Sequence, residues 1–233
     1  MIKKLLNLIK AIIRGKFIYF SSVNIPKEWM GNKYGGFFLY SDILNSNSII
    51  YSVGIGEDIS FDMRIINKLK CKVFGFDPTP KSIEFINNSN PPSEFIFNKY
   101  GVSNTTGEIK FYLPKNDKHV SGSLLKTSNV DQDNSILLKF KSLDDIMNSF
   151  NHQYIDVLKI DIEGYEYQLI DYIYEKRIQV NQLLVEFHPD LISEGKEKTR
   201  RAIFKLNELG LKCYAVSDSY SELSFINTKL IEK

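Results

Sequence analysis

Two clusters of residues in this chain have the types and the spacing to do chemistry. The first is Tyr51-Ser-Val-Gly-Ile-Gly-Glu-Asp58, followed by Phe76-Asp-Pro-Thr-Pro80. An apolar run ends in Gly54 and Gly56, and a helical pattern follows. Asp77 closes the next apolar run, at close to the ~20-residue interval between a glycine turn and an acid that holds a ribose. The glycines let the backbone approach a ligand, and a carboxylate at the tip of the neighbouring strand can accept hydrogen bonds from two ribose hydroxyls. The pattern predicts a nucleoside cofactor. The plain alternative is a tight strand-to-helix turn with no ligand.

What the turn lacks narrows the cofactor. A dinucleotide fingerprint needs a third glycine, where this chain has Ile59, and Glu57 and Asp58 occupy the place of a pyrophosphate. Two carboxylates repel a pyrophosphate in a poorly screened pocket. They suit a cofactor carrying a cationic amino group and a sulfonium, which is S-adenosylmethionine.

The second cluster is Lys159-Ile-Asp-Ile-Glu-Gly-Tyr-Glu166 together with Val185-Glu-Phe-His-Pro189. Both are apolar runs that end in polar residues, and ligands of open α/β sheets gather outside the carboxyl ends of the strands. Asp161 and Glu163 point the same way if the backbone stays extended, as do Glu186 and His188. His188 or Asp161 could then take a proton from an acceptor hydroxyl. Asp161, Glu163, Glu186 and His188 would also suit Mg²⁺ or Mn²⁺ better than zinc. The plainer readings are backbone-satisfied carboxylates, a loop histidine, and Glu166 as a helix cap favoured by the dipole. His152 is expected to be exposed, and His119 falls in a long polar loop with no assigned role.

Strand-like runs at 49–53, 71–76, 95–97, 155–160, 183–187, 213–216 and 223–227 must position these residues. Helical patterns at 59–69, 81–87, 143–150, 165–174 and 196–209 separate most of them. Continuous Ile/Val/Leu runs between helices predict a parallel sheet covered on both faces. The last two runs form a hairpin that makes the final strand antiparallel. Runs 108–113 and 136–141 form an inserted strand pair around a polar stretch, 114–135. Residues 18–47, with Pro26, Trp29, Gly31, Gly35 and Gly36, read as loop, in which Trp29 and Tyr34 either pack on the core or wall a pocket. The division is an extension at 1–47 and a cofactor-binding domain at 48–233.

The 233 residues carry a net charge of +2, with 25% charged and 43% hydrophobic residues. The lysines are dispersed, so nucleic acid is not expected as a partner. Cys71 and Cys213 lie in apolar runs and read as buried free thiols of a reducing, cytoplasmic compartment. Residues 1–17 form an amphipathic helix broken by Lys10, neither a signal peptide nor a membrane span. It either lies on the domain or a second copy, giving a homo-oligomer, or rests on an anionic membrane face.

From Ile49 to Phe187 the chain resembles the FkbM-type methyltransferases. The resemblance is carried by the glycine turn, Phe76-Asp-Pro-Thr-Pro80, Tyr100-Gly-Val-Ser-Asn-Thr-Thr-Gly107, Ser142-Leu-Asp-Asp145, Ile155 to Glu166, and Glu186-Phe-His188. It implies a Rossmann-like class I methyltransferase fold with a mixed seven-stranded sheet, and S-adenosylmethionine-dependent O-methylation. It further implies cofactor contacts from Gly54, Gly56 and Asp77, Val102 and Ser103 near the adenine, and Asp161 at the transfer centre. Many members have Asp where this chain has Ser52, so Glu57 or Asp58 takes over the cofactor's amino group. The acceptor that follows is a small molecule or a sugar of a bacterial surface glycan or its precursor. An NAD-dependent sugar dehydrogenase and a catalytically silent binding module are the alternatives.

Overall fold

A computed structural model describes residues 2–13, 16–116 and 120–231, with the side chains of residues 2–5 left undescribed. His119 and Arg14 lie outside the described residues. The elements run α1 (Ile2–Ile13), β1 (Glu28–Met30), β2 (Phe37–Leu39), β3 (Ile50–Val53), α2 (Ser60–Leu69), β4 (Val73–Phe76), α3 (Pro80–Ser89) and β5 (Phe95–Asn98). They continue with β6 (Gly101–Ser103), β7 (Gly107–Pro114), β8 (Val130–Ser142), α4 (Leu143–Phe150), β9 (Ile155–Ile160) and α5 (Glu166–Lys176). Last come β10 (Val180–Glu186), α6 (Gly195–Glu208), β11 (Leu211–Val216) and β12 (Glu222–Asn227).

Seven strands form the main sheet in the order β11-β12-β10-β9-β3-β4-β5. β5, β4, β3, β9 and β10 are parallel, while β12 runs antiparallel between β10 and β11, as the short final hairpin requires. Successive residues of the central strands feed two cores. Tyr51, Val53, Phe74, Phe76, Leu158 and Ile160 pack with residues of α4, α5 and α6. Ile50, Val73, Val157 and Leu184 pack with residues of α2, α3 and the β1–β2 hairpin. This period-two division buries both sheet faces, which is why the strands read as continuous apolar runs.

Local signals set the helix ends. Thr79 Oγ1 accepts from Ser82 N and Pro80 opens α3; Ser142 Oγ accepts from Asp145 N at the start of α4. Gly210, at φ 81°, ends α6 in the left-handed conformation that glycine adopts without a Cβ penalty.

Outside the site the structure departs from the sequence reading in three places. Residues 28–39 form a hairpin, too short and too rich in flanking glycine to register as strands. β8 begins at Val130, and β6 joins it, so the inserted pair is a three-stranded sheet, β6-β8-β7, with a shorter loop. His152 is half-buried, its Nδ1 2.9 Å from the Tyr51 hydroxyl and its ring against Phe74 and Phe150. Among the described side chains of α1, Ala11 is buried while Ile9, Ile12 and Ile13 of the apolar stripe are exposed. Cys71 and Cys213 are buried and free, as expected.

The hairpin is tied to the sheet by a buried polar network. Tyr214 Oη lies 2.9 Å from Gln182 Oε1 and 3.1 Å from Phe38 O, and it accepts from Tyr40 N. Gln182 Nε2 donates to Tyr40 O at 2.8 Å. Tyr214→Phe leaves these partners short of one hydroxyl in a dry site. The expected cost is about 1–3 kcal/mol, read as a lower urea midpoint with an unchanged slope.

Candidate active site

The glycine turn stands at the carboxyl end of β3, beside β9, where chain connections diverge to opposite sides of the sheet. Gly54 has φ 81°, and a Cβ there would lie 1.7 Å from Asp161 O. No residue with a side chain fits. Asp161 N donates to Val53 O at 3.0 Å, so the turn and Asp161 are locked as one unit. Gly56, at φ 57°, repeats the left-handed conformation.

Asp77 pins this turn. Its Oδ2 accepts from Ile55 N at 3.1 Å and Gly56 N at 3.0 Å; its Oδ1 accepts from Thr79 N and Thr79 Oγ1 at 2.8 and 2.6 Å. Burial raises its pKa, and these four hydrogen bonds oppose that by favouring the anion. All four lone-pair directions of Asp77 are thus engaged within the protein.

Turn and acid line a cavity of about 270 Å³, near the lower end of ordinary ligand pockets. Gly54, Gly56, Glu57, Asp58, Asp77, Val102, Asp161 and Glu163 all face it. Ser103 does not: it is fully buried behind the wall, its hydroxyl donating to Thr105 O at 2.5 Å. Glu57 and Asp58 differ too. Asp58 accepts from Asn32 Nδ2 at 2.6 Å and from Ser60 N at 2.7 Å, whereas Glu57 has no hydrogen-bond or ion-pair partner among the described residues.

Two walls come from outside these motifs, and of the two alternatives left open for Tyr34 the structure takes the pocket wall. Tyr34 and Gly35 come from the hairpin loop, held by Asn32 Oδ1 accepting from both their N–H groups. Gly35 lies so close to Asp58 that a Cβ would meet Oδ2 at 2.3 Å. Trp29 closes the loop, donating to Asn32 O at 2.7 Å. Phe111, Phe140 and residues 120–122 come from the inserted sheet and its loop. The Gly31/Gly35/Gly36 spacing was the available signal for the first wall.

The polar cluster adjoins this cavity at Asp161 and Glu163. The backbone does not stay extended after Asp161: residues 162–165 make a tight turn with Glu163 at φ 51° and Gly164 at φ 102°. The carboxylates still converge. His188 Nε2 lies 3.8 Å from Asp161 Oδ1, 3.9 Å from Glu163 Oε2 and 3.8 Å from Glu186 Oε1. Asp161, Glu186 and His188 each offer one ligand atom, all within 4.8 Å of one another.

Glu166 is more than a cap. It is fully buried, accepts from Gly164 N and His188 N at 2.8 Å each, and sets Oε1 3.4 Å from His188 Nδ1. Burial by itself lowers the pKa of His188; Glu166, then Asp161 and Glu186, outweigh it and raise the pKa to about 10. Burial, then Asp161, pushes Glu186 up to about 8. At neutral pH these values favour a cationic ring, faced at 3.4–3.9 Å by the acidic side chains around it.

A parallel sheet with its crossover between β3 and β9, closed by an antiparallel β12 slotted between β10 and β11, is the class I methyltransferase fold. The chain belongs to the FkbM methyltransferase family, whose domain model matches residues 51–213. It is 28% identical over 151 residues to the hexuronic acid methyltransferase AglP of Haloferax volcanii, covering 59% of each chain. It is 26% identical over 196 residues to the human probable methyltransferase-like protein 24, covering 81% of this chain and 47% of that one. The chain thus spans about half to three-fifths of the length of these relatives. The FkbM methyltransferase structure from Methylobacillus flagellatus aligns with a TM-score of 0.48 at 14% identity, over 80% of this chain and 45% of that one.

Both raised pKa values have one consequence for stability. A group whose pKa is higher folded than unfolded stabilises the fold below its unfolded value, and that stability is lost as pH rises through the folded value. For Glu186 the window runs from 4.5 to about 8, for His188 from 6.5 to about 10. In metal-free protein, urea unfolding should therefore show stability falling from pH 5 to 10, by up to about 1.4 kcal/mol per proton per pH unit. Glu166→Gln should lower the His188 pKa by at least about one unit, seen in imidazole proton shifts against pH.

Proposed function

We propose that the chain is an S-adenosylmethionine-dependent O-methyltransferase acting on a sugar hydroxyl, in a glycan or its precursor. One observation carries this reading: the Asp77-pinned glycine turn and Asp161 line the same cavity, locked through Gly54. A nucleoside held by the turn would then meet an acceptor at Asp161. The likeness to a hexuronic acid methyltransferase supports a carbohydrate acceptor.

The residues fit the cofactor. Gly54 and Gly56 allow close backbone approach, Asp77 faces the ribose position, Val102 offers an apolar wall for the adenine, and unpartnered Glu57 suits the cationic amino group. When bound, the cofactor supplies a methyl group on a sulfonium. The chain's own residues do the rest. Asp161 orients the acceptor hydroxyl and accepts its proton, while the His188 cation holds Asp161, Glu163 and Glu186 together. His188, carrying its proton at neutral pH, serves here as a positioning residue rather than as the base.

The clustering of Asp161, Glu186 and His188 favours a second reading, a divalent cation in this place. Carboxylates with one imidazole suit Mg²⁺ or Mn²⁺, whose charge would lower the pKa of the acceptor hydroxyl. Turnover unchanged after exhaustive chelation would remove that reading.

The first test is thermal unfolding with S-adenosylmethionine, S-adenosylhomocysteine and NAD. A ligand at 100 times its Kd adds about 2.7 kcal/mol, a shift of roughly 5–10 °C in a chain of this size. The expected result is a shift with both sulfur nucleosides that is lost in Asp77→Ala. A shift with NAD alone would restore the dehydrogenase. Asp161→Asn should cut methyl transfer to uronic acid glycosides by about 10²–10⁴ while leaving cofactor affinity intact.

A further inference from the structure

An amphipathic helix on a globular protein normally turns its apolar stripe to the core. α1 turns only part of its apolar surface inward, with Leu8 half-buried beside Ala11. Ala11 is its buried contact, 6% exposed, while Leu6, Ile9, Ile12 and Ile13 stand 51%, 44%, 59% and 78% exposed. At 100° per residue these four cover an arc of roughly 120° facing away from Ala11. Lys10, exposed, lies just beyond Leu6 at one edge of that arc.

The segment after α1 extends the same chemistry. Residues 16–19 run over α6 and enclose a shallow groove of about 620 Å³ with Lys196, Arg200 and Phe204. Phe20 and Phe204 are 65% and 63% exposed. Cations outnumber anions here. Lys16 pairs with Asp190, and Arg200 and Arg201 share Glu197, while Lys10 and Lys196 have no carboxylate partner among the described residues.

We propose that the outer face of α1, with the groove beside α6, docks on an anionic lipid bilayer. Exposed aliphatic residues enter the acyl boundary, and the lysines and arginines meet lipid phosphates. Charge complementarity selects this occupant. A two-fold contact between copies through the same face would set its cations against themselves. No described helix is long and apolar enough to cross a membrane, so the contact is peripheral.

The test is co-sedimentation of the full chain with phosphatidylglycerol/phosphatidylcholine vesicles and with phosphatidylcholine alone. Binding should be at least about tenfold stronger on the anionic vesicles and weaken with salt. Ile9→Asp/Ile13→Asp should abolish it, and Lys10→Glu/Arg200→Glu should reduce it, with thermal midpoints near that of the parent because these side chains are exposed. Equal binding to both vesicle types, or none, would overturn the proposal. So would a dimer in sedimentation equilibrium that Ile9→Asp/Ile13→Asp dissolves.

Discussion

The site depends on a missing side chain. β3 and β9 run parallel, and at their carboxyl ends the backbone of Gly54 comes so close to Asp161 O that a single methyl group has no room. That approach fixes the turn against the strand tip carrying Asp161. Asp77 adds the second constraint by accepting from Ile55 and Gly56 N–H. Below them, Lys159 Nζ donates to Gly54 O at 3.0 Å, and this buried ammonium faces the buried carboxylate of Asp62. The turn is thus held from the sheet, from the neighbouring strand and from underneath. Preorganisation of this kind is what a transfer reaction that relies on alignment requires.

The second organising feature is a surplus of negative charge. Asp161, Glu163, Glu166 and Glu186 all stand within 4 Å of one imidazole. Such a cluster costs free energy unless protons or a cation occupy it, and the raised pKa values of His188 and Glu186 express that cost. Glu166 is the anchor because its two backbone hydrogen bonds fix it before the other carboxylates matter. The strain sits beside a cavity, where perturbed titration marks functional sites more often than elsewhere.

Much of this was legible in the sequence, for identifiable reasons. The inner strands β3, β4, β9 and β10 are buried on both faces, so their apolar runs are continuous. The glycine turn, Asp77 and the two strand tips carry residue types that a plain sheet has no use for. What escaped notice depends on long-range contact. Glu166 looked like a helix cap because its approach to His188 comes from β10, on a separate stretch of chain. The hairpin at 28–39 has only three residues per strand, below the length at which alternation can be read. The family resemblance sets Val102 and Ser103 together, yet adjacent strand residues face opposite ways, and only Val102 reaches the cavity.

The same charge surplus bears on the acceptor. A uronic acid offers both a carboxylate and hydroxyls, and a carboxylate brought next to Asp161 and Glu163 would meet like charge in a poorly screened recess. A hydroxyl meets no such penalty, and it can donate to Asp161 before transfer. Under the function proposed above, a hydroxyl rather than a carboxylate would be the reacting group, with any acceptor carboxylate directed elsewhere. His188 cannot reverse that preference, because its one positive charge already faces Asp161, Glu163 and Glu166, while Glu186, with its pKa pushed up to about 8, holds a proton at neutral pH. Only an added divalent cation would, by turning the cluster from a repeller of anions into a chelator. Under the proposed function, acceptor chemistry and cation occupancy would be one question, set by the net charge around the His188 ring.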